Sequence, residues 1–274
     1  MPRFEHEGIS HFYTDVGQGD PLVFIHGLGL SHQNWIAQAP VFSTRYRMVT
    51  YDCRGHGGTG TTKGKLSIRD LAGDLLALLD HLGIERAVLI GYSTGTLIAQ
   101  SFAVNHPDRT AGICCIGSID RVNNLYLRVR MDFSRWMIHS KLHKALAYSV
   151  ATSNAKNLVQ RGFFYRIAKR ADPTESVQMI EASQEFLHEH DITKITCPTL
   201  LVHGKKDKSS GTNAAALTEK IRHAQISVVD GVNHAVATRA ADAFNAVLEE
   251  WLQGLDLRAG ESQKRALPLP HMVE

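Results

Sequence analysis

The strongest constraint on this chain is a set of short apolar runs that leave no polar alternate position. Leu22-Val23-Phe24-Ile25, Ala87-Val88-Leu89-Ile90 and Leu200-Leu201-Val202 are of this kind. A strand that is apolar at every position must be buried on both faces, as in a parallel sheet covered by helices on either side. Helical periodicity fills the gaps. Ser67 is placed to cap a helix with Asp70 three residues on, and Ile68, Leu71, Leu75, Leu78, Leu79 and Leu82 follow at helical spacing until Gly83. Further strands are expected over 47–52, 111–117 and 226–229, and helices over 94–104, 213–222 and 239–252. Residues 4–16 suggest a short hairpin turning at Glu7-Gly8. Strand and helix in alternation predict a doubly wound, mostly parallel α/β sheet.

The alternation stops between residues 121 and 191. Helix formers dominate there, and three or four helices are expected, with breaks near Gly162 and Pro173. The chain therefore divides into a core over 1–120 and 192–254 and an inserted helical unit over 121–191. Residues 255–274 form a polar tail with Pro268 and Pro270, expected to be poorly ordered.

Composition narrows the class. The chain has 274 residues and a net charge of +3, which gives no electrostatic ground for a nucleic-acid partner. Cys53, Cys114, Cys115 and Cys197 form no C-x-x-C pair and read as small buried side chains. The polar start lacks a signal-peptide core, and no apolar run approaches the ~18 residues needed to span a bilayer. A cytoplasmic protein without a membrane partner is expected. Metal-ligand spacing and phosphate-cradling loops are absent from the sequence, so no cofactor is expected.

The chemistry concentrates at strand ends. Gly91-Tyr92-Ser93-Thr94-Gly95 fits G-x-S-x-G between a strand and a helix. In that setting the turn is so sharp that the serine is strained, its oxygen stands above the sheet edge, and flanking glycines let backbone pack close. His26-Gly27-Leu28-Gly29 follows the first buried strand, and His26 is a candidate substrate contact. A serine needs a base. His234, in Gly231-Val232-Asn233-His234, lies past strand 226–229 at the same sheet edge. Asp207, in Gly204-Lys205-Lys206-Asp207, follows the strand over 199–203 and is preferred to Asp120 as the carboxylate that orients the histidine. Arg54 and His56, in Asp52-Cys53-Arg54-Gly55-His56-Gly57, read as structural groups tying turns together. His32 could line the pocket or the surface. Tyr92, Trp136, Phe163 and Phe164 are candidate pocket residues, along with Phe133 and Tyr165. Arg128, Arg130 and Arg135 read as a solvated face that could also draw in acidic substrates.

These five motifs in this order resemble the α/β-hydrolase superfamily over residues 3–253, and in detail small esterases and lactonases, including enol-lactone hydrolases. The resemblance implies an eight-stranded sheet with a helical cap and a Ser93–His234–Asp207 triad. It also implies an oxyanion hole made by the backbone N–H groups of Leu28 and Thr94. The elbow departs from many relatives in carrying Thr96 where they carry glycine. A serine nucleophile argues against epoxide opening and halide displacement. The expected substrate is a small-molecule ester or lactone. A carbon–carbon hydrolase or amidase with the same triad, and a ligand receptor with little turnover, are the alternatives.

Overall fold

The computed structural model describes residues 2–118, 125–189, 191–207 and 217–257. Eight strands form one sheet: β1 (Arg3–His6), β2 (Ile9–Val16), β3 (Pro21–Ile25), β4 (Arg47–Tyr51), β5 (Ala87–Tyr92), β6 (Thr110–Ile116), β7 (Thr199–Gly204) and β8 (Ala224–Val229). Their order is β1-β2-β4-β3-β5-β6-β7-β8. β1 and β2 form the expected antiparallel hairpin, β2 joins β4 antiparallel, and the remaining pairs are parallel. The α/β sheet anticipated from the apolar runs is the one observed.

The strands are apolar throughout because alternate residues enter different cores. Val23, Ile25 and Leu89 face one cluster, while Leu22, Phe24, Val88 and Ile90 face the other. Helices α1 (Ile68–His81) and α2 (Thr94–Asn105) cover the first face with Leu71, Leu75, Leu78, Ile98 and Phe102. Each such leucine, removed from water, contributes ~1.5–3 kcal/mol. The α1 start forms the anticipated capping box: Ser67 Oγ accepts the Asp70 N–H at 3.1 Å, and the Asp70 carboxylate accepts the Ser67 N–H at 2.8 Å.

Among the described residues, four α-helices lie between β6 and β7: α3 (Leu125–His139), α4 (His143–Asn154), α5 (Leu158–Ala168) and α6 (Pro173–Glu189). Pro173 does start a helix. Gly162 does not end one, because it sits inside α5, where the buried Phe164 and Ile167 hold the helix against the second core. Packing there outweighs a propensity penalty of about 1 kcal/mol. A Cβ at Gly162 would meet only Arg166 Nη1, at 3.8 Å. Gly162→Ala is therefore expected to stabilise the protein by about 0.5–1 kcal/mol, read as a rise of about 2 °C in thermal midpoint. A lower midpoint would contradict this account.

The last helix comes in two pieces: a short turn, Val236–Arg239, and then α7 (Ala241–Gln253), whose Phe244, Leu248 and Trp251 close the second core. Of the helix expected over 213–222, residues 217–220 are described and helical. Its earlier part, the tail beyond residue 257 and Asp120 lie outside the described residues. All four cysteines are free and buried. Among the described residues, no helix is long and apolar enough to cross a membrane.

Candidate active site

The turn from β5 to α2 places Ser93 at φ 54°, ψ −117°, a conformation that costs an L-residue of order 1–3 kcal/mol. Its neighbours explain why the turn survives. A Cβ at Gly91 would sit 2.8 Å from Thr96 Cα, and one at Gly95 would sit 2.8 Å from the His26 carbonyl oxygen. Only glycine at both positions lets backbone approach so closely. Thr96 is tied back to the elbow. Its N–H and hydroxyl both donate to the Ser93 carbonyl, at 2.9 and 2.7 Å. Thr94 is the first residue of α2, so its N–H stands at the positive end of the helix beside Ser93.

Two loops meet at the same rim. His234 Nδ1–H donates to Asp207 Oδ2 at 2.9 Å, because a carboxylate can only accept. The Lys206 N–H donates to the Val232 carbonyl at 3.0 Å, tying the Asp207 loop to the His234 loop. The imidazole rests on Gly117, where a Cβ would sit 2.6 Å from His234 Cε1. It also packs on the Tyr92 ring, with centroids 5.4 Å apart. The Ser93 N–H in turn donates to the Ile116 carbonyl at 2.9 Å, next to Gly117. Ser93, Asp207 and His234 thus line one cavity of about 600 Å³, together with Leu28, Thr94 and Tyr92. The Asp207 side chain is only 4% exposed, so its charge is weakly screened.

The loop carrying Leu28 presses on the elbow. A Cβ at Gly27 would sit 3.0 Å from Ser93 Cβ. His26, a candidate for substrate contact, does not reach the cavity. It is fully buried: its Nε2 accepts the Cys53 N–H at 3.0 Å and its Nδ1–H donates to the Gly27 carbonyl at 2.8 Å. His56 works in the same way, accepting the Gly29 N–H at 3.1 Å and donating to the Arg54 carbonyl at 2.9 Å. Arg54 is spent on Asp74, with two contacts of 2.7 Å. His32 bonds Asp52 at 2.9 Å. The Asp52–Gly57 stretch stitches the loop bearing Leu28 to the sheet.

Burial, helped by the neighbouring His56, pushes the His26 ring down to about 4. Below pH 6.5 the unfolded chain protonates this ring while the folded protein does not, until about 4. The stability it supports is therefore complete above pH 6.5 and lost as pH falls toward 4, by roughly 3 kcal/mol. The urea midpoint should fall between pH 7 and 4.5, and the His26 Cε1–H resonance should stay flat from pH 7 to about 5.5 and titrate only toward 4. A His26 resonance that titrates near 6.5 would refute the assignment.

Three further pocket candidates are also displaced. Phe164 is buried in the second core and Phe163 packs against it. Trp136 is 55% exposed and stacks on Phe133 with centroids 5.5 Å apart. The reason is helical phase. Arg130, Met131, Phe133, Ser134 and Met137 form the arc of α3 that lines the cavity, and position 136 falls outside it. Val150 and Asn154 of α4 and Ile180 of α6 line the cavity without having been anticipated. Asn154 Oδ1 accepts the Tyr92 hydroxyl at 3.2 Å, anchoring α4 to the elbow.

Residues 20–237 match the family model described as alpha/beta hydrolase fold. A 3-oxoadipate enol-lactonase of Acinetobacter baylyi is 26% identical, over 86% of this chain and 91% of that protein. A non-heme haloperoxidase of Rhodococcus erythropolis is 26% identical, over 90% of this chain and 97% of its own. The crystal structure of an enol-lactonase from Burkholderia xenovorans shares the fold with a TM-score of 0.82 at 24% identity, covering 92% of this chain and 100% of that one. A thermophilic esterase from Thermogutta terrifontis superposes with a TM-score of 0.80 at 23% identity, over 93% and 99% of the two chains.

Proposed function

The chain belongs to the α/β-hydrolase fold family, and from that membership we propose that it is a serine hydrolase cleaving a carboxylic ester or lactone through an acyl-enzyme. The hydrogen bond from His234 Nδ1 to Asp207 Oδ2, formed on the rim that carries the strained Ser93, supports this most directly. With its Nδ1 proton held by Asp207, His234 keeps the Nε2 lone pair for the serine proton.

Ser93 Oγ attacks the substrate carbonyl as His234 takes its proton. The oxyanion accepts hydrogen bonds from the Leu28 and Thr94 N–H groups, each of which is worth about 10²–10³ in rate where such donors have been removed elsewhere. His234 then gives its proton to the leaving alkoxide, the C–O bond breaks, and Ser93 is acylated. Water, deprotonated by His234, releases the acid and restores the hydroxyl. Helices α3, α4 and α6 act as a cap over the cavity, with α5 packed on the second core beside them, and no cofactor is needed. The mixed relatives, among them an enol-lactonase, fit a reading at the level of ester or lactone.

A fluorophosphonate probe followed by peptide mapping tests this. Label on Ser93, with sustained turnover of p-nitrophenyl esters, is the expected result. Label on another serine would overturn the site. Label on Ser93 without turnover of any ester, lactone or amide would favour a receptor on the same fold.

A further inference from the structure

The cavity is predominantly apolar, yet its charge is unbalanced. Among its described lining residues the only carboxylate is Asp207, already engaged by His234, whereas Arg130 and Lys206 are both cationic. Arg130 comes from the roof. It shares the α3 stripe with Phe133, Ser134 and Met137, at i, i+3, i+4 and i+7, and so faces the cavity mouth. Its neighbour Arg135 lies off that stripe and is occupied by Asp132 at 3.4 Å and Glu181 at 3.6 Å. Arg130 has no acidic partner among the described residues. Burial raises the Tyr92 phenol, and the Arg130 charge works against it, so the guanidinium acts within electrostatic range of the residue preceding Ser93.

A guanidinium with no acidic partner among the described residues, set at a largely apolar chamber, suits one kind of ligand group. Its planar fork matches a carboxylate with two parallel N–H···O bonds, which a neutral ester cannot offer. Building on the serine-hydrolase reading, we propose that Arg130 is a specificity residue that selects esters or lactones carrying a carboxylate several bonds from the scissile carbonyl. Lys206, from the core side, reinforces the positive field. The group is held equally in ground and transition states, so its contribution falls on KM more than on kcat.

The test uses two pairs of substrates that differ in a carboxylate. One is mono-p-nitrophenyl glutarate against p-nitrophenyl pentanoate, with the carboxylate on the acyl side. The other is 3-carboxyphenyl acetate against phenyl acetate, with it on the alcohol side. In at least one pair the anion should be preferred in kcat/KM by about tenfold or more at low ionic strength, mainly through KM, and 0.5 M salt should erode that preference. Arg130→Met should lower the anion-to-neutral ratio by about tenfold, Arg130→Lys by less, and Arg128→Gln, on the same helix but off the cavity, should leave it unchanged. If the wild type labels at Ser93 and hydrolyses the neutral esters yet prefers neither anion, or if the ratio survives Arg130→Met, this inference fails alone. If Ser93 does not label, the serine-hydrolase reading fails and this one with it.

Discussion

Ser93→Gly is expected to cut kcat/KM for a p-nitrophenyl ester by about 10⁴-fold or more while making the folded protein more stable than Ser93→Ala by about 1 kcal/mol. The first effect follows from losing the proposed nucleophile, and Ser93→Ala should show it equally. The second separates chemistry from strain. Ser93 holds φ 54° and ψ −117°, where any Cβ is crowded and glycine is not. Alanine keeps the Cβ and the strain; glycine sheds both. Part of the relief is offset by the greater freedom of glycine in the unfolded chain, so the net gain is modest. Urea unfolding of the two variants, alongside ester turnover, gives both readings. Equal stability of the alanine and glycine variants would mean that the elbow stores no strain, and residual turnover within a hundredfold of wild type would remove Ser93 from the chemistry.

The elbow was legible because its cause is local. Two glycines, a serine, and a strand before a helix determine where the hydroxyl stands, and all are written in five consecutive residues. His234 and Asp207 were legible for a topological reason. In a parallel sheet every strand ends at the same edge, so residues just after β7 and β8 must arrive near the end of β5. The roof of the cavity was not legible in that way. Helical spacing in α3 says that 130, 133, 134 and 137 share a face, but not that this face looks down on Ser93. Trp136 therefore seemed as good a lining residue as Phe133. Phe163 and Phe164 failed for the related reason that α5 packs on the second core rather than over the cavity. His26 was misread because a histidine beside a catalytic loop invites a chemical role. Only the structure shows both its ring nitrogens bonded to backbone. The bond between Asn154 and the Tyr92 hydroxyl joins residues 62 apart in sequence and had no signal at all.

That stitching beneath Leu28 carries the other large effect. Asp52→Ala is expected to destabilise the protein by about 3 kcal/mol or more and to lower kcat for ester cleavage by about tenfold or more. Asp52 follows β4 and is fully buried, and its carboxylate accepts the His32 N–H at 2.6 Å, the His32 ring Nδ1–H at 2.9 Å and the Gly58 N–H at 2.8 Å. Burial alone would make it a weaker acid, but the His32 hydrogen bonds and the neighbouring His26 and His32 rings more than offset that and hold it below the usual carboxylate value. Alanine leaves two part-buried backbone donors without their acceptor, a cost of the same order as the hydrogen bonds lost. It also frees the segment that follows Leu28, and an oxyanion donor displaced by even 1 Å loses much of its worth. Two companions localise the effect. Asp52→Asn keeps one acceptor oxygen but turns an amide N–H₂ toward donors, so its loss should be intermediate. His32→Ala removes the ring and spares the backbone bond, so it should be the mildest. Denaturant unfolding gives the stability order, and kcat measured at saturating ester gives the catalytic one. If Asp52→Ala stays within 1 kcal/mol of wild type, or loses stability with kcat intact, then the stretch from Asp52 to Gly57 does not set the position of the Leu28 N–H.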